Sequence, residues 1–341
     1  MLRFAVLTAV GLLAAMAGAT EPAQALTALQ VNEADFREGG SPRDAVDPAI
    51  LRAQILVDRL RFSPGAIDGR GGENFDKAIA AFATSRNLPA AGLNREVWTA
   101  LVESYPGPAL VPFTIAADDI EGPFLKTVPR DFEDMAELKY LGYTSPREKL
   151  AERFHMSPGL LAALNPGSSF DDPGAVIVVA ASRPDPQPAS ISNRNVSAED
   201  GGKAPVVRIE ISKSQRVLRA FDGENRLVAF YPASIGSDEK PAPSGRFEIR
   251  AIARDPSYTY NPDYAFKGVS TRKKLTIPPG PNNPVGSVWL DLTAESYGIH
   301  GTPEPERVGK TFSHGCVRLT NWDVKDLASL AGKGTAVDFG D

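Results

Sequence analysis

The stretch VVRIEIS, residues 206–212, alternates in character: Val207, Ile209 and Ile211 are apolar, and the residues between them are polar. A period of two is typical of a strand with one buried face. The pattern continues in RVLRAF (216–221), RLVAFYPASIG (226–236) and GRFEIRAI (245–252), with a turn at Asp222-Gly223. Residues 205–340 are therefore predicted to form a mainly-β domain.

One helix interrupts this β pattern near the end of the sequence. Asn321 is predicted to be its N-cap, Asp323 lies in its first turn and Gly332 follows its last residue. The face that it would bury consists of Val324, Leu327, Ala328 and Ala331.

The region before the β pattern divides into three parts. Residues 45–105 carry apolar side chains at helical spacing, which predicts a small all-α domain. Residues 111–182 are interpreted as an α/β segment with two helices and one strand after Gly174, and a strand before the helices is not evident. His155 falls inside the first of these helices, where a packed histidine is commoner than a ligand. Residues 183–204 have no apolar periodicity and are predicted to be a linker.

Length and composition limit the class of protein. A chain of 341 residues is long enough for several domains, and its net charge of −5 excludes the basic excess that nucleic-acid binding requires. Residues 1–25 combine Arg3, an apolar run and small residues, as a signal peptide does. The run is shorter than a membrane span, so we expect export and no integral membrane span after cleavage.

The sequence TFSHGCVRLT, residues 311–320, contains Cys316, which is the only cysteine. A lone cysteine is most often an inert buried residue. A nucleophilic thiol needs a base, since little of it is ionised at neutral pH. His300 ends the segment SVWLDLTAESYGIH, where a neighbouring strand could aim it at the thiol. The side chain of His314 should instead diverge from Cys316 in a turn made by Gly315.

This glycine turn has a second consequence. It would bring the backbone N–H groups of His314, Gly315 and Cys316 towards one point, where they could hold an oxyanion. Arg318, two residues beyond Cys316 on the same face, could bind a substrate carboxylate. The joint occurrence of these residues favours a nucleophile over an inert thiol.

The motifs YGIHGT (297–302) and SHGCVRL (313–319) together resemble the signature of the L,D-transpeptidases, the YkuD-type catalytic domain. The resemblance includes APSGRFEI (242–249) and IPPGPNNPVGSVWLDL (277–292). It implies a sandwich-like arrangement of mixed strands within the mainly-β domain. It also implies a periplasmic, Gram-negative-type enzyme of cell-wall biogenesis that releases D-alanine from a peptidoglycan stem through a cysteine thioester. The acyl group would pass to an amine of a second diaminopimelate or of an outer-membrane lipoprotein lysine.

The resemblance also implies a role for each site residue. Cys316 would be the nucleophile, His300 the proton acceptor and Gly301 the backbone carbonyl that orients His300. The oxyanion hole would be formed by the backbone of His314, Gly315 and Cys316, and substrate would be bound by Arg318, Ser313 and Tyr297. No metal or other cofactor is expected.

The N-terminal parts carry two further resemblances. Residues 56–101 resemble a peptidoglycan-binding domain through Ile67-Asp68-Gly69, Phe82 and Trp98, with Ala83 where that family commonly has glutamine. Residues 111–182 are similar to a LysM module. Both imply tethers that hold the enzyme on the wall. Deletion of residues 26–180 is then predicted to slow reaction on intact sacculi more than on soluble muropeptides.

Two other functions remain open at this point. The same thiol with water as acceptor would give an L,D-carboxypeptidase or a hydrolase that releases lipoprotein. A non-catalytic wall-binding protein is the third possibility, against which an intact Cys316 and His300 argue.

Overall fold

The structure is a computed structural model that describes residues 26–38, 45–185, 206–237, 240–264, 271–313 and 315–341. The predicted signal peptide (1–25), most of the predicted linker and His314 lie outside the described residues. Within the described ranges, every helix is too short or too polar to cross a bilayer.

Four helices occupy the first part of the chain. They are α1 (Ala28–Asn32), α2 (Pro48–Arg59), α3 (Glu73–Ser85) and α4 (Arg95–Ser104). Asp47 begins α2 by accepting hydrogen bonds from two backbone N–H groups, and Pro48 occupies the first helical position. Asn94 caps α4 in the same way. These helices account for the apolar pattern over residues 45–105, and a peptidoglycan-binding role for them stays a prediction.

The next part contains a strand that the sequence analysis missed. β1 (Leu110–Thr114) pairs antiparallel with β2 (Val176–Ala180), and α5 (Phe132–Ala136), α6 (Pro146–Arg153) and α7 (Pro158–Leu164) lie between them. This first strand, which is not evident in the sequence, is therefore present in the structure. Pro112 obscures β1 in the sequence, because proline is excluded from central strands but is tolerated at a sheet edge.

His155 does not lie inside a helix, and that prediction was wrong. α6 ends at Arg153, and His155 has a φ of +58°, a left-handed conformation that stops a helix. Its role as a packed residue is as expected, since the side chain is buried. Its Nδ1 lies 2.9 Å from Asp58 Oδ2, and its ring stacks on Trp322 at 5.2 Å.

The second half of the chain is dominated by a sheet of nine strands. They are β3 (Arg208–Ser212), β4 (Val217–Phe221), β5 (Leu227–Pro232), β6 (Ser234–Ile235), β7 (Gly245–Arg254), β10 (Val288–Leu292), β11 (Gly298–His300), β12 (Val317–Arg318) and β13 (Ala336–Gly340). The strands β8 (Tyr258–Tyr260) and β9 (Leu275–Ile277) form a separate hairpin.

The strand order shows that this sheet folds over on itself. The order is β5-β4-β3-β13-β7-β10-β11-β12-β6, and only Ala233 separates the two end strands along the chain. β7 serves both halves, because its first residues pair with β13 and its later residues with β10. The result is a sandwich with parallel and antiparallel pairs. This confirms the prediction of a mainly-β domain over residues 205–340.

The helix α8 (Asn321–Leu330) packs against this sandwich. Its N-cap is Thr320, whose Oγ1 accepts a hydrogen bond from the Asp323 N–H at 3.1 Å, so the prediction of Asn321 was wrong. Threonine and asparagine both serve as caps, and the sequence does not separate adjacent candidates. The Asn321 side chain instead accepts from the Ser287 N–H and donates to Glu152. The predicted apolar face of α8 is buried in the sandwich core.

Two hydrophobic cores cross the boundaries that the sequence suggested. Leu51 and Ile55 of α2 pack in one core with Ile177 of β2. Phe82 of α3 packs in another with Phe230 of β5. The first core therefore joins the N-terminal helices to the β1–β2 part, and the second packs those helices directly on the sandwich.

Arg183, which the predicted linker included, is buried at this junction. Its guanidinium lies 3.4 Å from Asp323 Oδ1 and 3.5 Å from Asp326 Oδ1, both on α8. It also donates to the backbone carbonyl of Asp58, at 2.8 Å, on α2. Breaking a buried ion pair leaves an uncompensated charge, so these contacts oppose separation of α2 from α8.

Candidate active site

Two adjacent parallel strands bring the predicted site residues together. β11 pairs with β12 so that Ile299 lies opposite Val317 and His300 lies opposite Arg318. Side chains two residues apart on a strand share a face. Cys316 directly precedes β12, so its thiol is on the face that carries His300 and Arg318. The thiol is half-buried.

The turn before β12 depends on glycine. Gly315 has a φ of +104°, which L-residues with side chains rarely adopt, and a Cβ there would lie 2.9 Å from Tyr297 Cε1. Ser313 closes the turn by donating from its hydroxyl to the Cys316 carbonyl at 2.5 Å. The Ser313 side chain is buried. His314, the remaining residue of the turn, lies outside the described residues.

The orientation of His300 is set by its own neighbour in the chain. Nδ1 lies 2.6 Å from the Gly301 carbonyl oxygen. A carbonyl can only accept, so the proton is on Nδ1 and the lone pair is on Nε2. The ring also stacks on Trp289 of β10, with centroids 5.4 Å apart and planes 17° from parallel.

Trp289 was not among the predicted site residues. It lies opposite His300 in the β10–β11 pair, and Gly298 leaves room for its indole, since a Cβ at that glycine would lie 2.4 Å from the ring. The alternation of SVWLDL offered a signal, because Trp289 falls on the face opposite to the buried Val288 and Leu290.

The electrostatics of the site favour a neutral resting pair. Burial and, to a smaller extent, the charge of Arg318 lower the pKa of His300 to about 3, although the hydrogen bond to the Gly301 carbonyl opposes the shift. Burial raises the pKa of the Cys316 thiol, against the backbone of Gly298 and the charges of Lys240 and Arg318. At neutral pH the structure therefore holds a thiol and a neutral imidazole, and a thiolate–imidazolium ion pair is disfavoured.

The remaining predicted residues surround the thiol. Tyr297 donates from its hydroxyl to the Pro241 carbonyl at 3.3 Å and covers Gly315 with its ring. Lys240, which the sequence analysis did not select, has its side chain beside Gly315 and near enough to lower the pKa of Cys316. The described part of the chain contains no group of three His, Cys, Asp or Glu side chains suited to a metal ion.

This arrangement agrees with the comparison to known families. Residues 206–338 match the family model YkuD, the L,D-transpeptidase catalytic domain. These residues are a YkuD domain. The matched range contains both strands of the cysteine site, and it leaves out the N-terminal helices and the β1–β2 part.

Named relatives match mainly over this domain. The putative L,D-transpeptidase YkuD of Bacillus licheniformis is 34% identical over 132 residues, which cover 39% of this chain and 64% of the relative. The probable L,D-transpeptidase YbiS of Escherichia coli K12 is 26% identical over 202 residues, or 58% of this chain and 61% of the relative. The chain thus spans less than two thirds of the length of these relatives.

A similarity to solved structures is also found. L,D-transpeptidase 3 from Mycobacterium tuberculosis, solved with a faropenem-derived adduct, aligns over 40% of this chain and 61% of that chain. The sequence identity is 19% and the TM-score is 0.32.

Proposed function

We propose that the protein is an exported cysteine L,D-transpeptidase that acts on peptidoglycan stem peptides in the periplasm. The observation that carries the proposal is the pairing of β11 with β12, which sets Cys316 and His300 on one face with the His300 lone pair on Nε2. A nucleophile and an oriented base are the requirements of thiol acyl transfer.

In the acylation step, Cys316 Sγ attacks the carbonyl carbon that links the third residue of the stem to the terminal D-alanine. His300 Nε2 takes the thiol proton during the attack, because neither neutral group favours an earlier transfer. The carbonyl electrons move to oxygen. Collapse of this intermediate breaks the C–N bond, and the imidazolium gives its proton to the leaving D-alanine nitrogen. The product is a thioester on Cys316.

The developing oxyanion lies where the glycine turn directs backbone donors. The N–H groups of Gly315 and Cys316 are the described members of the proposed oxyanion hole, and His314 would supply the third. Arg318 and Lys240 both lie near enough to the thiol to lower its pKa, and their positive charge suits the carboxylates of a diaminopimelate stem.

In the second step, the amine of another stem attacks the thioester carbonyl and passes its proton to His300. Collapse expels the thiolate, which recovers the proton from the imidazolium. An amide crosslink forms and the enzyme returns to its neutral resting pair. A lipoprotein lysine could replace the stem amine without changing this balance of atoms.

The test is intact-mass spectrometry after incubation with a soluble tetrapeptide-stem muropeptide. We expect an acyl adduct on the wild type, together with a dimeric muropeptide, and no adduct on Cys316→Ala. His300→Gln, which keeps a side chain of similar reach, should slow adduct formation by about 100-fold or more. An adduct that yields only shortened stems would identify a hydrolase, and no adduct at all would refute thiol catalysis.

A further inference from the structure

The β8–β9 hairpin lies beside the cysteine site and is separate from the nine-stranded sheet. Among the described residues its strands pair only with each other. Only three residues separate β8 from the end of β7, where the Asp255 N–H donates to the Ser287 carbonyl at 2.9 Å. The residue after Ser287, Val288, accepts from the Gly301 N–H at 3.2 Å, so the hairpin starts next to the strand end that carries His300.

The Tyr258 phenol of this hairpin is also near enough to the Arg318 guanidinium to act on its pKa. An isolated two-stranded hairpin is marginally stable, so the position of Tyr258 depends on what packs against the hairpin.

The packing comes from the N-terminal part of the chain. The Phe132 ring of α5 lies edge-on to Tyr258, with centroids 5.9 Å apart, and is tilted against Tyr260 at 5.0 Å. Met135, Leu141 and Ile277 are buried behind these rings in a small cluster separate from the main cores. The hairpin therefore has a hydrophobic core that it shares with residues outside the YkuD domain.

Two backbone hydrogen bonds also join the N-terminal part to the segment that follows β9. The Leu141 N–H donates to the Pro279 carbonyl at 2.8 Å, and the Asn282 N–H donates to the Leu141 carbonyl at 3.0 Å. Gly280, between them, has a φ of +139°, and a Cβ there would lie 2.3 Å from the Leu141 oxygen. The segment PPGPNN (278–283) is thus a docking site for Leu141.

We propose that residues 125–141 form a brace that positions the β8–β9 hairpin as a wall of the substrate site. The inference rests on the proposed function, since it assigns the hairpin to the substrate of that reaction. Phe132 is a positioning residue, because it contacts Tyr258 and not the thiol or the imidazole. The N-terminal part then contributes to catalysis on every substrate, soluble or wall-bound.

The experiment compares Phe132→Ala with Phe113→Ala in the full chain. Phe113 is a matched control because it is also an aromatic residue upstream of α6, but its ring packs on Phe154, at 4.9 Å, and not on the hairpin. Phe132→Ala should speed deuterium exchange in the two strands, residues 258–260 and 275–277, by about 10-fold, the loss expected from two aromatic pairs. It should also raise KM for D-alanine release from a soluble stem by about 10-fold, with kcat nearly unchanged.

A second variant separates the loss of the ring from general destabilisation. Phe132→Tyr keeps the ring at a half-buried position and should retain wild-type exchange and KM. Unchanged exchange in Phe132→Ala, or an equal effect from Phe113→Ala, would overturn the brace. Faster exchange with an unchanged KM would overturn the role of the hairpin as a substrate wall. Exchange is measured without turnover, so failure of the brace is distinguishable from failure of the proposed function.

Discussion

Replacing Asp323 by asparagine should stabilise the protein at pH 8 and leave its stability nearly unchanged at pH 4. Burial raises the pKa of Asp323 to about 7, nearby Asp58 raises it too, and Arg183 and the Ser63 hydroxyl oppose the shift. The folded state therefore holds a proton between pH 4 and 7 that the unfolded state has lost. A raised carboxyl pKa makes the charged form costly in the folded state, so wild-type stability falls as pH rises through this window.

The magnitude follows from the size of the shift. A rise from 3.8 to about 7 is about three pKa units, which sets an upper bound of roughly 4 kcal/mol on the cost above pH 7. Asparagine can still accept from Ser63 Oγ, at 2.8 Å, but it loses the charge that faces Arg183. We therefore expect a net gain of about 2 kcal/mol at pH 8.

The assay is urea unfolding of wild type and Asp323→Asn in matched buffers at both pH values, followed by tryptophan fluorescence. The pKa of Asp58 is lowered to about 2 and has the opposite pH dependence, but it is present in both proteins and cancels in the difference. Asp326→Asn is the control: Asp326 accepts from the Tyr231 hydroxyl and pairs with Arg61, so its loss should destabilise at both pH values. A destabilised Asp323→Asn at pH 8, or an equal effect at both pH values, would refute the reasoning.

Three other predictions concern the site and its support. The lowered pKa of His300 keeps the imidazole neutral down to about pH 3, so the acylation rate should not fall as the pH is lowered from 7 to 5. A pH profile of kcat/KM measures this, and a decrease in kcat/KM centred near pH 6.5 would contradict it. Gly315→Ala should lower kcat/KM by about 100-fold or more, because alanine rarely adopts a φ of +104° and its Cβ would clash with the Tyr297 ring. Near-normal turnover would show that the turn tolerates this strain. Deletion of residues 26–180 should abolish reaction on soluble muropeptides as well as on sacculi. It removes the helices that cover Val217 and Phe230, and so exposes the sandwich side of their shared core. A soluble, active fragment would restore the tether interpretation.

The sequence best predicted the features that depend on residues close to one another in the chain. The β pattern over residues 205–340 follows from alternation along single strands, and the cysteine turn follows from one glycine beside one thiol. The missed features depend on contacts between distant segments. Trp289 acquires its position from pairing with His300, and Arg183 from carboxylates on α2 and α8. No local pattern in the sequence reports which segments will meet.

Docking of the N-terminal parts is the largest feature that local patterns could not reveal. Asp58, Phe82 and Leu141 look like ordinary members of their own segments in the sequence. In the structure they meet Arg183, Phe230 and Pro279 respectively. Composition indicated a linker near residue 183, but a linker in sequence does not require separated domains.

The neutral state of the Cys316 thiol affects how readily the sulfur is oxidised or alkylated. Oxidants and alkylating agents react with the thiolate, so a half-buried thiol with a raised pKa resists both. The sequence has a single cysteine, so it has no second thiol to resolve a sulfenic acid as a disulfide. In the proposed reaction, keeping the proton on sulfur until a substrate carbonyl arrives thus protects the thiol from irreversible oxidation between turnovers.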